Sequence, residues 1–132
     1  MVKSDTDHAR QLLGMAKTDH TALTNMLNAE QFPEQIFGFH AQQAIEKALK
    51  AWISLLRRPY PKTHDVSVLV GVLREAGADI SSFQRLEDYT VFAVQYRYES
   101  YDTDDEPLDR ADVIQEIAGL LSHVQQAIAS AV

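Results

Sequence analysis

The chemistry in this chain concentrates in one run, Phe39-His40-Ala41-Gln42-Gln43-Ala44-Ile45-Glu46-Lys47-Ala48-Leu49-Lys50-Ala51. At ~100° per residue, Ala41, Ala44, Ile45, Ala48, Leu49, Trp52, Leu55 and Leu56 form one apolar face. His40, Gln43, Glu46, Lys47 and Lys50 gather on the other side, with Phe39 among them. An imidazole, an amide, a carboxylate and two ammonium groups in a narrow stripe suit a ligand-facing surface. Lys47 and Lys50 would meet phosphate or carboxylate, and Gln43 and His40 would hydrogen-bond. The plainer reading is a solvated face with Glu46 and Lys50 as an i,i+4 pair, worth a few tenths of a kcal/mol. Spacing alone favours the plainer reading.

Two further groups carry chemistry. Thr63-His64-Asp65 follows Pro59 and Pro61, and a stiff loop that delivers a histidine to a helix start positions it for work; a locally bonded loop histidine explains the same residues. Arg58 and His64 also match a loose Arg-x5-His spacing. Tyr96-Arg97-Tyr98 sets a guanidinium between two rings, an arrangement for gripping phosphate while the rings stack. Packing by the tyrosines, with Arg97 paired to an acid, is the alternative that composition favours. His8, His20, His40, His64 and His123 make no i,i+3 or i,i+4 pair, so no metal site is expected. No glycine-rich phosphate loop or serine nucleophile elbow occurs, and no cofactor is expected. The acids Asp102, Asp104, Asp105 and Glu106 read as a solvated loop.

These residues need helices to hold them. Ser4 or Asp5 should cap a first helix, whose apolar positions run from Ala9 to Leu27 and carry it to about Ala29. Pro33 suits the first turn of a second helix, which continues from Ile36 to Arg57. Arg58 to Thr63 must be a loop, since two prolines so close remove donors and restrict their neighbours. Thr63 or Asp65 should cap a short helix ending near Gly77. Ser81 or Ser82 should start a helix to about Tyr98; its aromatic, β-branched end resembles a strand, but a lone strand would lack a partner. An acidic loop covers 100–107, and a last helix starts near Leu108 or Asp109. Five helices suggest an antiparallel bundle.

The totals agree. The 132 residues, 45% hydrophobic with five glycines and four prolines, suit one helical domain, 1–132. There is no cysteine, hence no disulfide and no thiolate metal site. The polar start and the lack of any run of ~18 apolar residues lead us to expect a soluble, cytoplasmic protein. The net charge of −7 argues against broad nucleic-acid binding by the whole chain. Charge is nevertheless polarised: Lys47, Lys50, Arg57, Arg58 and Lys62 crowd one stretch, and acids dominate from Asp102 to Asp112.

The run Phe39 to Ala51, the step Lys62-Thr63-His64-Asp65 with Leu69 after it, and Tyr96-Arg97-Tyr98 together resemble the HEPN domain family over nearly the whole chain. The resemblance implies an all-α, up-and-down antiparallel bundle of four long helices plus a short one, and a homodimer. It also implies nucleotide binding, often beside a minimal nucleotidyltransferase and sometimes as a toxin–antitoxin pair. Some members are metal-independent RNA endonucleases that use an Arg-x4–6-His motif on a late helix, two copies forming one composite site. Here Arg97 has no histidine in that window, and Arg110 has none before His123. The expectation is therefore a dimeric binding module for a nucleotide or a nucleotide-bearing substrate, with His40, Gln43, Lys47, Lys50, His64, Arg97 and Tyr98 as its site. An RNA-cleaving toxin using His64 as base and Arg97 as charge stabiliser is the alternative, and a dimerisation scaffold is a third.

Overall fold

The computed structural model describes residues 4–87 and 109–131. Helix α1 spans Asp5–Thr24. Ser4 starts it as expected, its hydroxyl accepting from the Asp7 N–H at 3.0 Å, with Asp5 and Asp7 favourable at the positive end of the helix. The helix stops short of Ala29. Thr21 and Thr24 hydroxyls and the Asn25 amide bond back to carbonyls of the last turns, the competition that disfavours helix interiors. Asn28 Oδ1 then accepts from the Glu30 N–H at 2.9 Å.

Helix α2 spans Glu34–Leu55. Pro33 stands one step before it, its carbonyl accepting from the Ile36 and Phe37 N–H groups. The helix stops before Arg57, which adopts φ +58°. Helix α3 spans Val66–Glu75; Asp65 caps it by accepting from the Ser67 N–H at 2.9 Å. A 3-10 turn covers Ser81–Phe83, and residues 85–87 are helical. Ile80, rather than Ser81 or Ser82, stands at the N-cap of this turn, and Asp79 just before it accepts from both the Ser81 hydroxyl and its N–H. Those bonds, the hydroxyl first, hold the Asp79 carboxyl below its ordinary 3.8. The rest of the helix expected to Tyr98, and the acidic loop after it, lie outside the described residues. Helix α4 spans Arg110–Ala131, and Asp109 caps its first turn through the Asp112 N–H at 3.1 Å.

The fold is an all-α bundle, and the side-chain contacts give its directions. His8 near the start of α1 meets Tyr60 just past the end of α2, while Asp19 meets His40 and Lys47; the two helices are antiparallel. His20 meets Ile114, and Lys17 meets Gln125, so α4 also runs against α1. Arg110 lies on Phe37, and His123 lies on Trp52, so α4 runs with α2.

Helix α2 sits at the centre, touching α1, α3 and α4. Its expected apolar face is buried from Ala41 to Trp52, but Leu56 is exposed because it caps the helix end. Burial also spreads past that face to Phe37, Gln42, Glu46, Ala51, Ile53 and Ser54. Alanines at 41, 44, 48 and 51 keep the surface shallow, which lets neighbouring helices approach closely. Leu13, Leu23, Leu69, Leu73, Val113, Ile117, Leu120 and Val124 complete the core.

Arg110 fastens the turn between α1 and α2. It is 5% exposed, donates to the carbonyls of Met26 and Phe32 at 2.6 Å each, and lies 5.1 Å over the Phe37 ring. Replacing Arg110 with Met keeps volume but strands the buried Met26 carbonyl and the part-buried Phe32 carbonyl, and we expect a loss of about 2–4 kcal/mol. Urea unfolding should report it as a lower midpoint at unchanged slope. Arg110→Lys should recover only part, because one ammonium cannot span both carbonyls as the guanidinium fork does.

Candidate functional site

Two carboxylates organise the polar stripe of α2. Asp19, from α1, accepts from Lys47 Nζ at 2.8 Å and lies 3.4 Å from His40 Nδ1. Glu46, on α2 itself, accepts from Lys50 Nζ at 2.7 Å, and both of its oxygens lie 3.1 Å from His64 Nδ1. The stripe is therefore not the solvated face that spacing favours. The i,i+4 pair of Glu46 and Lys50 exists, but Glu46 is 3% exposed and the Lys50 side chain 14%. Helix α1 covers one flank of the stripe, and the chain from Leu56 to Asp65 covers the other.

His64 is held at two points, and the residues on either side of it are tied to each other. Gln42, one turn before Glu46, donates from Nε2 to the His64 carbonyl at 2.8 Å. Thr63 Oγ1 accepts from the Asp65 N–H at 3.0 Å, continuous with the cap of α3. Glu46 then takes the ring. A salt-bridged carboxylate only accepts, so Nδ1 carries the hydrogen and Nε2 is turned away from Glu46. The side chain is 78% exposed, which makes Nε2 an accessible acceptor, or a donor in the imidazolium.

The site continues into residues that spacing could not nominate. Lys50 Nζ lies 5.6 Å from the centre of the Tyr60 ring. The Tyr60 hydroxyl shares a 2.7 Å hydrogen bond with His8 Nε2, and the two rings are within 5° of parallel. Asp19, His8 and Tyr60 join the stripe across long sequence separations; the prolines around Tyr60 signalled only a loop.

The turn between α2 and this cluster is a Schellman cap. The Arg57 N–H bonds Ser54 O and the Arg58 N–H bonds Ile53 O, with Arg57 in the left-handed region. The end of α3 repeats the pattern, Gly77 N–H to Arg74 O and Ala78 N–H to Leu73 O, but with glycine at φ +84°. For a non-glycine residue that conformation costs about 1–2 kcal/mol.

Of the expected site residues, Lys50 and His64 meet at Glu46, while His40 and Lys47 meet at Asp19. Gln43 is half-buried on α2 between them. Arg58 is exposed at the α2 end. Arg97 and Tyr98, with Tyr96, lie outside the described residues. Among the described residues no three histidine, aspartate or glutamate side chains gather to hold a metal ion, and no described helix is long and apolar enough to cross a membrane.

A family model described as the HEPN domain matches residues 9–127. No curated protein and no solved structure matches the chain.

Removing one member of a buried ion pair leaves the other uncompensated, so Glu46→Leu should cost about 3–5 kcal/mol. Glu46→Leu with Lys50→Met should recover most of that loss. Nitrogen NMR of the imidazole should place the hydrogen of wild-type His64 on Nδ1. The folded double variant should lose that preference. A double variant as unstable as Glu46→Leu alone would show that Glu46 matters for something other than its charge partners.

Proposed function

The chain belongs to the HEPN domain family, and from that premise we propose that it is a binding module for a nucleotide, or for the nucleotide-bearing end of a larger substrate, seated at His64. One observation carries this reading: a largely exposed imidazole whose Nδ1 is fixed by a buried carboxylate, leaving Nε2 oriented for a ligand. Fixing the ring before binding removes much of the ordering cost that a free side chain would incur. Lys50 and Lys47 already have carboxylate partners, so in this reading they set the local field and hold the platform, with His40 and Gln43 beside them. Tyr60, beside Lys50, would offer a stacking surface. Arg97 and Tyr98 enter the proposal from the sequence resemblance. The working assembly we propose is a homodimer that serves a minimal nucleotidyltransferase, as a two-component or toxin–antitoxin system.

A second reading rests on the same geometry. A histidine with Nδ1 on a carboxylate and Nε2 free has the arrangement of a general base. With His64 taking the proton of an RNA 2′-hydroxyl, that oxygen would attack the adjacent phosphorus and form a 2′,3′-cyclic phosphate as the P–O5′ bond breaks. The 5′-oxygen would leave with the proton returned by the imidazolium, and Arg97 would stabilise the charge on the phosphoryl oxygens. The chain would then be a metal-independent RNA endonuclease.

Calorimetry with AMP and ATP, and incubation of metal-free protein with mixed cellular RNA, separate the two. The binding reading expects nucleotide binding without cleavage, and His64→Ala weakening affinity about tenfold or more, as for loss of a charge-assisted hydrogen bond. The variant also takes a donor from the buried Glu46 carboxylate, so it should melt below wild type, and affinity is compared at a temperature where both proteins are folded. RNA cleavage abolished by both His64→Ala and Arg97→Ala would establish the nuclease instead. Nucleotide affinity unchanged in His64→Ala, with no cleavage by wild type, would remove both readings.

A further inference from the structure

Lys47 and Lys50 both have carboxylate partners, but they are held differently. The acid of Lys47, Asp19, comes from another helix, so that pair by itself fixes the ammonium in the bundle. The acid of Lys50, Glu46, lies one turn back on the same helix. On an open helix such an i,i+4 pair is only weakly held, and a lysine keeps its ammonium in water where it can. The Lys50 side chain is nevertheless largely buried. Among the described residues, the aromatic contact that ties it to another segment is the Tyr60 ring, whose centre lies 5.6 Å from Nζ, within the range of a cation–π attraction.

Tyr60 is itself fixed from two sides. Pro59 and Pro61 bracket it and restrict its backbone. Its hydroxyl shares the 2.7 Å hydrogen bond with His8 Nε2 from the start of α1. A continuous line of contacts therefore runs from His8 through Tyr60, Lys50 and Glu46 to His64.

The end of that line decides what His64 offers a ligand. Lys50 Nζ and His64 Nδ1 share Glu46 Oε1, at 2.7 and 3.1 Å. Glu46 is buried, and a buried carboxylate needs a positive partner. While Lys50 supplies that charge, His64 need give only a hydrogen bond, and a second positive charge beside the ammonium is disfavoured. With Lys50 withdrawn, the imidazole is the remaining donor on the carboxylate, and a second proton on the ring is favoured. On its own loop, Lys62 and Asp65 are opposite in charge, and Asp65 sits at the positive end of α3, which it caps.

We propose that Tyr60, pinned by His8, is a positioning residue of the His64 site. By holding Lys50 on Glu46 it keeps the imidazole neutral in the free protein, so that the ring takes its second proton, from solvent and onto Nε2, only when a ligand phosphate arrives there. This rests on the nucleotide-binding reading above.

The test uses the full chain, metal-free, with Tyr60→Leu, Tyr60→Phe and Lys50→Met. Nitrogen NMR of the free proteins near neutral pH should find wild-type His64 neutral. Tyr60→Leu should raise its imidazolium share roughly two- to fivefold, and Lys50→Met should raise it further. Tyr60→Phe, which keeps the ring and loses the His8 bond, should fall between wild type and Tyr60→Leu. Adding Tyr60→Leu to Lys50→Met should change nothing more. Calorimetry with AMP, in buffers of different ionisation heat, should show wild type taking up a proton on binding and Tyr60→Leu taking up less. A wild-type ring already charged, His64 signals unchanged in Tyr60→Leu, or a Tyr60→Leu effect of equal size without Lys50 would overturn the positioning role, whatever the melting temperatures. AMP bound without proton uptake would overturn the phosphate at Nε2. Wild-type protein that binds no AMP would remove the nucleotide-binding reading, and the NMR of the free proteins would still decide the role of Tyr60.

Discussion

A carboxylate that is 3% exposed must be matched or it destabilises the fold, and Glu46 is such a group. Removing a carboxylate from water costs several kcal/mol even after the protein relaxes. Lys50 offsets part of that from one turn along the same helix, and His64 supplies the remaining donor from a different segment. The second donor fixes the tertiary structure. It draws the end of the 56–65 connection onto α2, and with it the start of α3. Gln42 makes the same demand in neutral form, because a buried amide also needs a partner, and it finds the carbonyl of the same residue. Gln42 and Glu46 are i,i+4 neighbours and so lie one above the other on the helix face. Together they grip His64 twice, by backbone and by ring.

Two other charges, one part-buried and one buried, follow the same logic in different places. Asp19 ties α1 to α2 through Lys47 and His40. Arg110 ties α4 to the α1–α2 turn through two carbonyls and an aromatic face. Each joins segments far apart in sequence, and each sits beside apolar packing that fixes distance but not direction. Hydrophobic burial is non-directional; these bonds set how the helices are placed around one another. What distinguishes the His64 cluster is that its last member points outward. Asp19 and Arg110 close on protein atoms, whereas the chain of contacts from Glu46 ends on an exposed imidazole nitrogen.

How much of this was legible in the sequence follows from the range of each interaction. Ser4, Pro33, Asp65 and Asp109 announced helix starts because capping acts within a turn. The apolar residues of α2 from Ala41 to Trp52 were readable because burial follows helical period. The end of α1 was misplaced because Leu27 keeps the apolar period while Thr21, Thr24 and Asn25 spend their side chains on local carbonyls. The Glu46–Lys50 pair was found, and its burial was not. The same i,i+4 spacing serves a solvated helix and a covered one, and the cover comes from a loop whose position depends on His64. Asp19, His8 and Tyr60 carried no local signal at all, since their partners lie across the bundle.

The two Schellman caps meet the same requirement at unequal cost. Both ends use the same pair of backbone bonds, so the hydrogen-bond requirement of the helix terminus is met equally at Arg57 and at Gly77. Stability alone would favour glycine in both, by about 1–2 kcal/mol. That is a sizeable fraction of a fold stabilised by only 5–15 kcal/mol in typical domains. The side chain at 57 is solvent-exposed and contributes no core packing that could repay the strain. Its neighbours, Arg58 and Lys62, share its charge, and self-repulsion among three such groups opposes folding further. Strain and repulsion therefore add in the same exposed loop, against the Schellman bonds at one end and the cap of α3 at the other.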